Sequence, residues 1–226
     1  MARSLLLIAA SIFFASSISA CSSNIEKSAS SETVTGTGKS KSETRKVGAF
    51  HAIDIDLPAT LIVKVGSDGD MTVETDETVL PHITTKVEDG KLRITSDTNI
   101  QSMHELKISV NTSKLDDLKV DGAGKISLDG FSGGKLNVES DGASTITANG
   151  KLDKFDASLN GAGDVHAGGL EAKKAKVSIT GAGNAEVNAS EQLDASITGA
   201  GNIKYKGDPK IHQQINGVGN ISKLAS

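Results

Sequence analysis

The feature that most constrains this chain is an internal repeat that begins after residue 115. A Gly-Ala-Gly triplet, or a close variant of it, recurs every 18–20 residues; its first glycines are Gly122, Gly142, Gly161, Gly181, Gly199 and Gly217. An apolar residue stands four positions after each of these glycines, and an aliphatic residue stands two positions before all of them except Gly142. An apolar pattern that returns at fixed offsets indicates stacked units, each adding one layer to a shared core.

The part of the chain before the repeat alternates apolar and polar residues, as in Phe50–Leu57 and Leu61–Val65. This period of two predicts β-strands. We therefore predict an all-β body, a β-solenoid of 18–20-residue coils whose rungs pair as parallel strands about 4.8 Å apart. The six repeat glycines are expected at corners of the coils, where glycine tolerates a positive φ. The alanine that follows all of them except Gly217 is small enough to point inward there.

Aspartate or asparagine follows the triplet in four of the repeats: Asp164, Asn184, Asn202 and Asn220. In parallel stacking, equivalent residues lie side by side, so these side chains can hydrogen-bond along the stack. The structural interpretation is a polar ladder that stabilises the body. The functional alternative is a stripe that binds a glycan or a protein partner.

Residues 1–20 have the features of an export signal, with a positive charge at Arg3 and an uncharged, largely apolar stretch at Leu5–Ile18. The signal ends in Ile18-Ser-Ala-Cys21, which resembles the lipobox of bacterial lipoproteins. That resemblance implies cleavage before Cys21 and lipidation of its thiol, so that the protein contacts the membrane through an N-terminal lipid. The residue after Cys21 is Ser22, whereas an aspartate there would resemble an inner-membrane retention signal. By analogy with bacterial lipoproteins, this favours the outer membrane.

The segment 21–45 is rich in Ser, Thr, Gly and Lys and has almost no large apolar residue. Such a segment cannot bury enough surface to offset its ordering entropy. We therefore predict a flexible tether over 21–45 and a folded domain over 46–226. Cys21 is the only cysteine of the chain, so an intramolecular disulfide is excluded.

Three stretches of the body carry a family resemblance: Phe50-His-Ala-Ile-Asp-Ile55, Leu80–Ile94, and the recurring Gly-Ala-Gly-Asn-Ile that is clearest at Gly199–Ile203. With them the body resembles the bacterial family called putative auto-transporter adhesin, head GIN domain, over almost all of 46–224. The resemblance implies a right-handed parallel β-helix that is exported to the cell envelope. It implies no catalytic residues.

Charge and composition exclude several function classes. The 24 Lys and Arg residues against 28 Asp and Glu residues give a net charge of −4, whereas a nucleic-acid binder carries a basic excess. The five histidines form no close pairs, so we predict no metal site. No nucleophile elbow appears in the sequence, and we predict neither a catalytic residue nor a cofactor.

The sequence as a whole favours a non-enzymatic, lipid-anchored module of the cell envelope that binds an unidentified glycan or protein partner or acts structurally. Two alternatives stay open. One is an enzyme that acts on envelope polysaccharide from a β-helix. The other is a scaffold that self-associates weakly, because the ends of a β-helix expose unpaired strand edges.

Overall fold

The computed structural model describes residues 33–224, and strands account for 74% of them. The all-β prediction is confirmed; the helical element in this range is a 3₁₀ turn at Leu80–His82, and no helix here is long and apolar enough to cross a membrane. The leader and Cys21 lie outside the described residues. The strands are β1 (Thr33–Thr35), β2 (Ser40–Arg45), β3 (Ala52–Ile55), β4 (Ala59–Val65), β5 (Met71–Asp76), β6 (Ile83–Glu88), β7 (Lys91–Ser96), β8 (Asn99–Gln101), β9 (Lys107–Thr112), β10 (Asp117–Val120), β11 (Ala123–Ser132), β12 (Lys135–Ser140), β13 (Ala143–Leu159), β14 (Ala162–Lys206) and β15 (Lys210–Lys223).

The prediction of a right-handed parallel β-helix is wrong, because the strands form a sheet that curls into a half-barrel. Its path is β2-β5-β9-β4-β11-β13-β12-β10-β3-β7-β6, with β14 and β15 continuing from β13, while β1 and β8 form a separate pair. The β2–β5, β5–β9 and β6–β7 pairings are antiparallel. Of the six predicted corner glycines, three lie between strands, namely Gly122, Gly142 and Gly161, whereas β14 and β15 run as continuous strands through Gly181, Gly199 and Gly217.

Neighbouring repeats lie side by side in parallel register, which aligns their apolar columns. Ile126 pairs with Ile146, and Ile146 pairs with Val165. All three side chains are buried, whereas Ile215 in the last strand is 40% exposed. Burial of an aliphatic side chain contributes about 1.5–3 kcal/mol, so these columns are a major source of stability for the sheet.

A pair of serines explains the one break in the aliphatic column that stands two positions before the first glycine of each repeat. Ser140 stands where the other repeats have Val, Leu or Ile, and Ser144 stands where most have the second glycine. Both are buried, and their hydroxyl groups are 2.7 Å apart. A buried hydroxyl is costly unless it is hydrogen-bonded. The two departures from the repeat therefore compensate each other.

The repeat glycines lie where adjacent strands come too close for a side chain. A Cβ atom at Gly181 would be 2.4 Å from the carbonyl oxygen of Gly161. The second glycine of the triplet is equally confined, since a Cβ atom at Gly201 would be 2.1 Å from the oxygen of Gly183. Gly181 also has a φ of 133°, a conformation that favours glycine. Close strand contact therefore requires glycine in these columns.

Part of the segment predicted to be a tether is folded. β1 and β2 lie within 21–45, where β1 pairs with β8 and β2 pairs with β5. The guanidinium of Arg45, at the end of β2, donates hydrogen bonds to the carbonyl oxygens of Ile83 at 2.6 Å and Leu80 at 3.1 Å. The composition argument failed here because backbone pairing and one arginine order the segment, which has little apolar surface of its own. The folded body therefore includes residues 33–45.

Candidate functional site

The alanines of the repeat triplets form an exposed column across the sheet. We call this column the alanine strip: Ala123, Ala143, Ala162, Ala182, Ala200 and, in the last row, Val218. The expectation that the alanines point inward is wrong. Side chains alternate between the two faces of a strand, and each alanine lies an odd number of residues from both buried columns, so it faces outward.

The predicted polar residues lie beside the alanine strip, and hydrogen bonds join three of them. The side-chain amide of Asn184 donates to Asp164 Oδ1 at 2.9 Å, and that of Asn202 donates to Asn184 Oδ1 at 3.0 Å. Asn220 stands opposite Asn202 in the β14–β15 register. We call these four residues the polar ladder. Asn184 and Asn202 are exposed, and each amide has more donors and lone pairs than the ladder uses.

A second polar column, which sequence reasoning missed, flanks the other side of the alanine strip. The Asn160 amide donates to Asp141 Oδ1 at 2.9 Å. This hydrogen bond, together with the charge of Lys119, holds the pKa of Asp141 below its usual range. Lys119 Nζ lies 3.0 Å from Asp121 and 3.7 Å from Asp141. Thr180, Thr198 and Asn216 occupy the same position in the later repeats, so the column changes from charged to neutral along the sheet.

The alanine strip from Ala143 to Val218 lines a shallow groove of about 700 Å³ that crosses β13, β14 and β15. Three residues of the polar ladder also line it: Asp164, Asn184 and Asn202. Each repeat crosses the groove as one strand, which we call a row. Neighbouring rows are about 4.8 Å apart, and residues two positions apart in one strand are separated by about 7 Å. Each row therefore presents a methyl group with hydrogen-bonding groups at a fixed distance from it. Such a surface can contact an extended ligand at regular intervals.

Within residues 33–224, no group of three or more His, Cys, Asp and Glu side chains is arranged to hold a metal ion. The adjacent carboxylates Asp116 and Asp117 have separate partners. Asp116 lies 2.6 Å from Lys114 Nζ, and Asp117 accepts a hydrogen bond from Asn137 at 3.4 Å. The sheet therefore does not bring these two carboxylates together as a catalytic pair.

Sequence reasoning also missed a buried carboxylate at Asp76. It accepts hydrogen bonds from the backbone amides of Gly38 at 2.8 Å, Met103 at 2.9 Å and His104 at 3.1 Å, and from the hydroxyl of Ser102. The Ser102 hydroxyl, with the amides of His104 and Gly38, holds the pKa of Asp76 well below its usual range. Local sequence does not mark Asp76, because its partners are 26 to 38 residues away.

The model of the family described as putative auto-transporter adhesin, head GIN domain, matches residues 49–209. The chain belongs to this family. The family resemblance seen in the sequence is therefore confirmed, and the head GIN match includes most rows of the alanine strip. The description of the family names an adhesin, a class of protein that acts at the cell envelope.

Two crystal structures share the head GIN fold over most of this chain. A putative adhesin from Bacteroides fragilis NCTC 9343 is 24% identical with a TM-score of 0.68, and the match covers 84% of this chain and 100% of that one. A putative adhesin from Parabacteroides merdae ATCC 43184 is 18% identical with a TM-score of 0.55, covering 85% and 99%. At these identities the likeness shows the fold alone. No curated protein matches the chain.

Proposed function

We propose that this protein is a non-enzymatic, lipid-anchored module of the cell envelope with an adhesin-like role. Membership of the head GIN family supports the role, since the family description names an adhesin. The observation that carries the proposal is the exposed groove, in which the alanine strip and the polar ladder offer similar contacts in row after row. A surface of this kind suits an extended ligand, such as a glycan chain or a repetitive protein.

An extended ligand suits this surface because the binding free energies of many weak contacts can add up. One hydrogen bond to an exposed amide contributes only about 0.5–1.5 kcal/mol. Contacts repeated along one rigid sheet act together, because after the first contact the others become intramolecular. The methyl groups of the alanine strip leave room for the ligand to approach the backbone, and the amides of the polar ladder can donate to and accept from sugar hydroxyls.

We propose that Cys21 carries the lipid and that the outer membrane holds it, because Ser22 follows the lipobox-like sequence. Replacement of Cys21 by serine should release the protein from the membrane fraction and abolish incorporation of a labelled fatty acid. A Ser22→Ala variant is the matched control and should stay membrane-bound. A Cys21→Ser protein that still fractionates with membranes would contradict lipid anchoring.

Protease treatment of intact cells, with a tag at the C-terminal end, tests the adhesin-like role. Loss of the tag from intact cells would show that the body faces outward, as adhesion to an external surface requires. Cleavage only after permeabilisation of the outer membrane would place the body in the periplasm and contradict external adhesion. A periplasmic protein of known location serves as the control for intact membranes.

Variants in the groove test whether it is the binding surface. We expect Ala182→Arg and Ala200→Arg to reduce co-sedimentation with insoluble polysaccharides, such as peptidoglycan sacculi, chitin and cellulose, because the long side chain blocks the alanine strip. Ser190→Arg, at an exposed position outside the groove, adds the same charge and should bind like wild type. Equal binding of all three variants would contradict this site. Shortening of any of the polysaccharides by wild type would favour the enzyme alternative.

A second candidate function, weak self-association, is favoured by one observation. Among the described strands, β15 pairs only with β14, and it leaves Ile215 40% and Val218 78% exposed. An unpaired strand edge can pair with another chain. Sedimentation velocity at increasing concentrations should then show dimers, and Val218→Lys should reduce them. A monomer at all concentrations would contradict self-association.

A further inference from the structure

A pocket unrelated to the groove lies where the segment after β8 packs against the starts of β4 and β11. Its volume is about 400 Å³, within the range of roughly 300–1,000 Å³ that small-molecule sites occupy. Leu57, Ile100 and Leu106 supply apolar walls, and Ser102, His104 and Glu105 supply polar groups. An apolar pocket with a few convergent polar groups is the usual form of a site for a small ligand.

The fold fixes the orientation of His104 in this pocket. Its Nδ1 lies 3.2 Å from Oδ1 of the buried Asp76, and its side chain is 41% exposed. Because the carboxylate engages Nδ1, the opposite edge of the ring, with Nε2, is the part that a ligand can reach. The group that a ligand meets at His104 is therefore Nε2, which accepts a hydrogen bond when the ring is neutral.

Glu105 supplies a second acceptor at the same pocket. The hydroxyl of Thr60 donates to its Oε1, which orients the carboxylate. No lysine or arginine is among the residues that line the pocket, so an anionic ligand would meet a negative charge without compensation. An ammonium group, which has three donors and a positive charge, matches both acceptors.

We propose that this pocket binds a small amphipathic amine, with its apolar part against Leu57, Ile100 and Leu106 and its ammonium group held by His104 and Glu105. Asp76 is a positioning residue, because it acts through the ring of His104. This site is independent of the function proposed for the groove, since Ala123 alone among the alanine strip reaches it.

The chain offers a matched control for His104. His82 Nδ1 lies 2.9 Å from Oδ1 of Asp97, so the same kind of pair exists at the surface, but neither residue lines this pocket. Substitution by asparagine is informative at both sites, because the asparagine amide can replace Nδ1 as a donor to the aspartate while the group at Nε2 is lost.

The experiment is an NMR titration of the full chain with cyclohexylmethylamine, following the backbone amide signals of Ile100 and Leu106. We expect saturable shifts, with affinity at least fivefold weaker in Glu105→Gln and in His104→Asn and unchanged in His82→Asn. Cyclohexanecarboxylate, which has the same apolar part and the opposite charge, should cause no saturable shift.

Absence of saturable shifts with the amine would overturn the proposal, as would wild-type affinity in both pocket variants or equal affinity for the carboxylate. Thermal melting checks that each variant is folded. Should His104→Asn unfold, Glu105→Gln decides the outcome, because Glu105 is not among the hydrogen-bond partners of Asp76 and its replacement keeps the shape of the side chain.

Discussion

Replacement of Gly181 by alanine should destabilise the sheet strongly. The new Cβ atom would lie 2.4 Å from the oxygen of Gly161, whereas an unstrained contact needs about 3.5 Å, so the two rows must separate by about 1 Å. That shift breaks the hydrogen bond from the Ala182 amide to Gly161, which measures 2.9 Å, at a cost of about 0.5–1.5 kcal/mol. The φ of 133° adds strain, about 1–3 kcal/mol for a residue other than glycine.

The two costs of Gly181→Ala add to about 1.5–4.5 kcal/mol, offset by less than about 1 kcal/mol from the lower entropy of the unfolded chain. For a domain of this size, we expect the melting temperature to fall by roughly 5–10 °C. Gly201→Ala isolates the close contact, and Gly134→Ala isolates the backbone conformation, since Gly134 has a φ of 84° and no atom within 4 Å of its Cβ position. A wild-type melting temperature for Gly181→Ala, or a loss for Gly181→Ala that is no larger than the loss for Gly134→Ala alone, would refute the reasoning.

Three further predictions concern the core and the first strands. Ser144→Gly should cost about 1–3 kcal/mol in urea unfolding, because it leaves the buried Ser140 hydroxyl unpaired, and adding Ser140→Val should restore most of it; a double variant no more stable than the single one would contradict the compensation. The pKa of Asp76 is lower in the folded protein than in the unfolded chain, so its contribution to stability is present above about pH 4 and is lost as the pH falls below that value. The melting temperature should fall less steeply in acid for Asp76→Asn than for wild type, whereas the exposed control Asp97→Asn should behave like wild type. Identical pH profiles for Asp76→Asn and wild type would count against this role. A chain that begins at residue 46 should melt at a lower temperature than one that begins at residue 33, because it lacks β2 and Arg45. Equal melting temperatures would support the prediction of a flexible tether over 21–45.

The strand content and the shared core could be predicted because they depend on local spacing. Alternation of apolar and polar residues reports which face of a strand is buried, and the repeat period places equivalent residues next to each other. Ile126, Ile146 and Val165 are aligned and buried as that pattern requires. The family could be recognised for the same reason, since its motifs are short and contiguous.

The shape of the sheet could not be predicted in this way. The repeat fixes which residues are neighbours, but a closed β-helix and a curled half-barrel can have the same neighbours over the repeat rows. The difference is decided by the antiparallel strands β2, β5 and β6, which the repeat does not include. The outward direction of the alanines was missed because the glycines were placed at corners, although the odd spacing already implied it.

The sequence by itself determined the all-β class, the repeat register, the membership of the head GIN family and the position of the polar ladder, because each depends on residues close together or at a regular period. Only the tertiary structure decided the curvature of the sheet, the order of residues 33–45 and the pocket at His104. These features depend on contacts between distant residues of unlike type, such as Gly38 with Asp76 and Arg45 with Ile83. A hydrogen bond across 38 residues leaves no periodic trace in the chain, and so it becomes visible only when the chain is folded.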